Sequence, residues 1–99
     1  MGKLVRDKIP DIIRQNGGNP VITILGATEY REALTAKLFE EAGELREAPI
    51  GEVAGEIADV YEVLRALAAD HGYDWAAIER TAQAKRDERG GFLDRLYLA

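Results

Sequence analysis

The chain has 99 residues, the size of one ordinary domain. It contains no cysteine, which excludes disulfide scaffolds, thiolate metal sites and cysteine nucleophiles. Its formal net charge of −5 argues against a non-specific nucleic-acid binder, which needs a basic face.

No apolar run approaches the ~20 residues of a membrane span, and the first residues, Met-Gly-Lys-Leu-Val-Arg-Asp, lack the apolar centre of a signal peptide. A cytoplasmic protein with no membrane partner is expected. The charge is unevenly spread. Residues 29–62 hold ten acids and three bases, a net of −7; the other residues hold eight acids and ten bases, a net of +2. The bases outside the acidic stretch gather toward the two ends of the chain.

Met1–Val5 reads as a short lead-in. Asp7 is placed to cap a helix over Lys8–Asn16, with Pro10 in the first turn, where a missing N–H costs little. Gly17-Gly18 stops it. The β-branched stretch Pro20–Leu25 reads as a short strand or extended arm. Thr28 is a suitable N-cap for a second helix running to about Glu47, with Tyr30, Leu34, Leu38 and Leu45 at helical spacing.

Pro49 and Gly51 make a tight connection to a third helix, about Glu52–Asp70. Its stripe is Val53, Ile57, Val60, Leu64 and Leu67. Asp74 caps a fourth helix from Trp75 to about Glu88, which Gly90-Gly91 ends before an apolar tail from Phe92. The expectation is a single all-α domain over 1–99, a small four-helix bundle with a short extended N-terminal arm. So small a bundle buries a thin core, so a homo-oligomer is expected, a homodimer or homotetramer.

The second and third helices carry Glu40-Glu41-x-x-Glu44 and Glu56-x-x-Asp59. Within each helix, acids three apart share a face. A short connection makes the two helices antiparallel. Opposed positions in such a hairpin keep a constant sum of residue numbers. Glu44/Glu56 and Glu41/Asp59 share one sum, with its midpoint inside the Pro49–Gly51 turn. Two tiers of carboxylates, ~4.5 Å apart along the helices, therefore face one small space. Acidic helix faces are ordinarily solvated, but Glu41 falls in the stripe of Leu34, Leu38 and Leu45 and points inward. Like charges so placed repel and shift one another's pKa, and a divalent cation relieves this. An all-oxygen site suits Mg²⁺, with Mn²⁺ a substitute, rather than zinc or copper.

The pattern Glu-Glu-x-x-Glu followed by Glu-x-x-Asp resembles the signature of the MazG-like all-α nucleoside triphosphate pyrophosphohydrolases. Lys3-Leu-Val-Arg-Asp-Lys-Ile-Pro10, the Lys85-Arg86 pair and Arg89-Gly-Gly-Phe92 look like the opening and closing segments of a single-domain, house-cleaning branch. That branch is similar also to phosphoribosyl-ATP pyrophosphohydrolase. The resemblance covers nearly the whole chain. It implies Mg²⁺-dependent hydrolysis of a nucleoside triphosphate, non-canonical or damaged, to the monophosphate and pyrophosphate. By motif, Glu41, Glu44, Glu56 and Asp59 are the implied metal ligands. Glu40 is an implied accessory ligand or water-orienting group, and Glu40 and Glu41 the implied catalytic pair. The eleven residues between Glu44 and Glu56 are at the short end of the family's range.

Bases must meet the triphosphate. Lys3, Arg6, Lys8, Lys85, Arg86 and Arg89 are the candidates, while Lys37, four residues before Glu41, either pairs with that acid or reaches a phosphate. Two alternatives stand beside the leading reading: phosphoribosyl-ATP pyrophosphohydrolase in histidine biosynthesis, and a helical module that binds nucleotide or oligomerises without turnover. Phe39, Tyr61 and Trp75 read as core or interface residues.

Overall fold

A computed structural model describes residues 2–99 of the chain, so Met1 of the lead-in lies outside the described residues. The described residues form four α-helices, α1 (Ile9–Gln15), α2 (Ala27–Glu47), α3 (Val53–Asp70) and α4 (Trp75–Arg89), and no strand. The protein is all-α. A single 3₁₀ turn, Ile50–Glu52, joins α2 to α3. Among the described residues no helix is long and apolar enough to cross a membrane.

The helix starts differ from the expected caps. α1 begins after Lys8 rather than Asp7, and α2 after Gly26 rather than Thr28. No side chain caps either one, nor does Asp74, which occupies the expected N-cap of α4. The stops follow the glycines. Gly17 takes φ +85°, and the N–H of Gly18 bonds the Ile13 carbonyl at 2.9 Å, six residues of backbone closing the end of α1. Gly72 does the same for α3: φ is +82°, and the Tyr73 N–H bonds the Ala68 carbonyl at 2.9 Å. The stretch 20–25 is extended and unpaired; of the two readings of it, the extended segment is the one present.

The chain divides into two compact units, one reaching Leu67 and the other spanning Ala68–Ala99. The first holds the arm, α1, the α2–α3 hairpin and the acidic motifs. The second holds the end of α3, α4 and the tail.

In the first unit Leu34 is 2% exposed and Val63 is also buried. The buried face of α3 is rotated from the expected stripe. Val63, which the stripe omitted, is buried, while Ile57 is 53% exposed and Leu64 is exposed as well. Apolar residues lie nearly all around α3, so periodicity alone did not single out a face. Val53, Val60 and Leu67 of the expected stripe do turn inward, joined by Glu56, Asp59, Val63 and Ala66, all at least half-buried.

Candidate active site

Two helices bring the acids together. Glu41 is buried, 7% exposed, on the same face of α2 as Leu34. Oxygens of Glu41, Glu56 and Asp59 lie within 4.8 Å of one another, and so do oxygens of Glu40, Glu41 and Glu44. Glu41 belongs to both groups. Glu44 lies within hydrogen-bonding reach of both Glu41 and Glu56. The tiers Glu44/Glu56 and Glu41/Asp59 thus sit in the register deduced from the hairpin.

The N-terminal arm closes one side. Arg6 Nη2 is 2.7 Å from Asp59 Oδ1, and Lys3 Nζ is 3.8 Å from Glu40 Oε1. From within α2, Lys37 Nζ is 3.3 Å from Glu40 Oε2 and 3.3 Å from Glu41 Oε1. Of the two roles open to Lys37, carboxylate pairing is the one it has here. Three bases therefore stand against three of the five carboxylates. Lys8 lines the adjoining cavity. Lys85, Arg86 and Arg89 are exposed on α4 of the second unit, where Arg86 Nη1 donates to Gln83 Oε1 at 2.8 Å.

The pairing is incomplete. Glu41 Oε2 and Glu56 Oε2 are both buried, and neither has a hydrogen-bond partner. An uncompensated buried carboxylate oxygen is costly, so native structures rarely leave one unsatisfied. Burial pushes the Glu41 carboxyl above the ordinary carboxylate range; the hydrogen bond from Lys37 opposes this in part, and the charge of Glu44 adds to it. Burial also raises Glu56, helped by the charges of Asp59, Glu41 and Glu52. For Lys37, burial would lower the pKa, but its bonds to Glu40 and Glu41 outweigh that and raise it. Two carboxyls thus hold their protons more tightly than usual, beside oxygens with nothing to bond. This donor set, all oxygen and under-neutralised, fits a hard divalent cation.

Next to the acids lies a cavity of about 430 Å³, within the range of small-molecule sites. The arm from Leu4 to Lys8 forms one wall. Glu41, Asp59, Arg6 and Lys37 lie at its polar end, and Tyr30, Leu34, Val63 and Ala66 supply apolar surface. Glu62 also lines it. Tyr30, Glu62, Val63 and Ala66 were not singled out from the sequence as site residues. Spacing carried the signal for one of them: Glu62 is one turn beyond Asp59. Phe39 and Tyr61 are on outer surfaces of their helices, Phe39 being 74% exposed.

Among known proteins, the chain is similar to an uncharacterized protein of Mycolicibacterium smegmatis. The two are 52% identical over 56 residues, 57% of this chain and 57% of the relative. The match therefore spans little more than half of the relative's length. No protein-family model matches the chain, and no solved structure matches it.

Proposed function

We propose that the chain is a MazG-like pyrophosphohydrolase that converts a nucleoside triphosphate, non-canonical or damaged, to the monophosphate and pyrophosphate with Mg²⁺. One observation carries this reading: two buried, unpartnered carboxylate oxygens, on Glu41 and Glu56, in a cluster whose Glu41 and Asp59 line a nucleotide-sized cavity that basic side chains border. Glu41, Glu44, Glu56 and Asp59 are the residues that would hold the cation, and Mn²⁺ would substitute. A divalent ion there supplies charge neutralisation on the phosphate oxygens and a bound water of lowered pKa.

The rest of the chemistry falls to the chain. Arg6 and Lys3 are the bases with most freedom, since both are more than half exposed in their pairs with Asp59 and Glu40. When substrate enters, they exchange those carboxylates for phosphate oxygens, which bind arginine and lysine well. Lys8 on the same arm adds charge. Lys37 is held by two acids and fixes Glu40 and Glu41 in place. Glu40 lies at the edge of the cluster, half-buried, and takes the proton of the attacking water or aims that water. As water adds to phosphorus, the anhydride bond breaks and pyrophosphate leaves.

The protein self-associates in this reading, as a homodimer or homotetramer. Only Leu34, Val63 and Ala68 are buried hydrophobics among the described residues, whereas Phe39, Ile57, Tyr61 and Leu64 are exposed. That leaves apolar surface in search of a partner.

The test is a panel of canonical and damaged nucleoside triphosphates plus phosphoribosyl-ATP. Each is assayed for pyrophosphate and monophosphate with Mg²⁺ or with chelator, using the natural chain and Glu44→Gln and Asp59→Asn. The reading expects metal-dependent turnover that either substitution lowers at least 100-fold while the chain stays folded. Turnover indifferent to metal and to both substitutions refutes it. Turnover of phosphoribosyl-ATP alone moves the enzyme to histidine biosynthesis.

A further inference from the structure

We infer that Glu62 binds the sugar hydroxyls of the substrate and makes the enzyme select ribonucleotides over 2′-deoxyribonucleotides, an inference that rests on the pyrophosphohydrolase reading. The cavity is graded along the α2–α3 hairpin. Its acidic end is Glu41 opposite Asp59. The same register sets Lys37 opposite Val63, then Leu34 opposite Ala66, and Tyr30 lies farther along α2. At ~1.5 Å per residue, Glu62 stands ~4.5 Å beyond Asp59 and Ala66 ~10 Å beyond it. A nucleotide with its phosphates at the acids has its sugar in the next tier and its base in the one after. Glu62 occupies the sugar tier, and the apolar residues Leu34, Ala66 and Tyr30 surround the base tier.

Glu62 is set apart from the metal-binding acids. It is not among the carboxylates whose oxygens gather within 4.8 Å. Among the described residues its carboxylate has no hydrogen-bond or ion-pair partner, and it lines the cavity. An ionised carboxylate only accepts hydrogen bonds, through two oxygens. The 2′- and 3′-hydroxyls of a ribose offer two adjacent donors that match it, and acidic residues take this role in dinucleotide-binding folds. A deoxyribose supplies only one of the two donors.

The experiment measures binding of non-hydrolysable ribo and 2′-deoxyribo triphosphate analogues with Mg²⁺ by calorimetry, for the natural chain and for Glu62→Ala. Turnover of the corresponding natural pairs is measured beside it. One charged hydrogen bond corresponds to a preference of about 10- to 100-fold for the ribo form. Glu62→Ala, an exposed helical position, should fold as before and bring the ratio close to one by weakening the ribo analogue, which loses two hydrogen bonds, more than the deoxyribo analogue, which loses one. An equal affinity for both sugars in the natural chain overturns the inference, as does a preference that survives Glu62→Ala. Binding with the predicted ratio but without turnover supports the sugar contact and refutes the hydrolase. No binding of either analogue overturns both.

Discussion

Glu56→Gln should have opposite effects on stability with and without a divalent cation. In the cation-free protein, Glu56 holds a buried oxygen with no partner, and burial together with Asp59, Glu41 and Glu52 disfavours its charge. Gln keeps the shape and removes the charge, so the variant should melt higher than the natural chain in chelator. With Mg²⁺ the order reverses. A cation at 100 times its dissociation constant stabilises the natural fold by about 2.7 kcal/mol. Unfolding entropy of ~2.1 cal/mol/K per residue gives about 0.2 kcal/mol/K for a chain of 99 residues. The melting temperature of the natural chain should therefore rise by about 13 °C, while Glu56→Gln, lacking one ligand, should move by far less. Differential scanning calorimetry with chelator and then with Mg²⁺, at one protein concentration, gives all four values. If Glu56→Gln melts lower in chelator, or both proteins respond equally to Mg²⁺, the assignment of Glu56 as a strained ligand is wrong.

Three further outcomes are expected. Glu41 and Glu56 have folded pKa values above their unfolded ones, so their contribution to stability is present below the ordinary carboxylate range and fades as pH rises through the raised values. Urea midpoints in chelator should fall as pH rises above the ordinary carboxylate range, and Mg²⁺ should abolish that fall. Leu34→Ala removes a side chain only 2% exposed; since one side already opens on the cavity, the loss should lie near the lower end of the 2–5 kcal/mol seen for such truncations, about 2–3 kcal/mol by denaturant melt. Arg6→Ala breaks an ion pair that is more than a third exposed at both partners, so stability should change by less than about 1 kcal/mol, while KM for the triphosphate rises at least tenfold; an unchanged KM would remove Arg6 from the phosphate contacts.

The parts of the molecule that were legible in the sequence are those with local causes. Glycine stops placed the ends of α1 and α3, because Gly17 and Gly72 adopt positive φ values that other residues resist. The inward turn of Glu41 was legible because it shares a stripe with Leu34, and the carboxylate register because a five-residue connection allows only one pairing of the two motifs. The buried face of α3 was not, since Val53, Ile57, Val60, Val63, Leu64 and Leu67 leave too little polar contrast around the helix. The starts of α1 and α2 fall at Lys8 and Gly26 rather than at the capping residue types Asp7 and Thr28, whereas α4 starts after Asp74 as its sequence suggests, with no side-chain cap bond at any of the three. The cavity depends on where the arm from Leu4 to Lys8 lies against α2 and α3, a long-range contact such as Arg6 with Asp59, and no local pattern encodes it.

The activity proposed for the carboxylate cluster is metal-dependent cleavage of a nucleoside triphosphate. Its most direct test is the release of pyrophosphate and monophosphate by the purified, folded chain across the substrate panel, with Mg²⁺ and then with excess chelator. The expected result is stoichiometric pyrophosphate and monophosphate from at least one substrate, falling to background in chelator. A folded chain that turns over none of them with Mg²⁺ or Mn²⁺ contradicts it and leaves the acids a binding or structural feature.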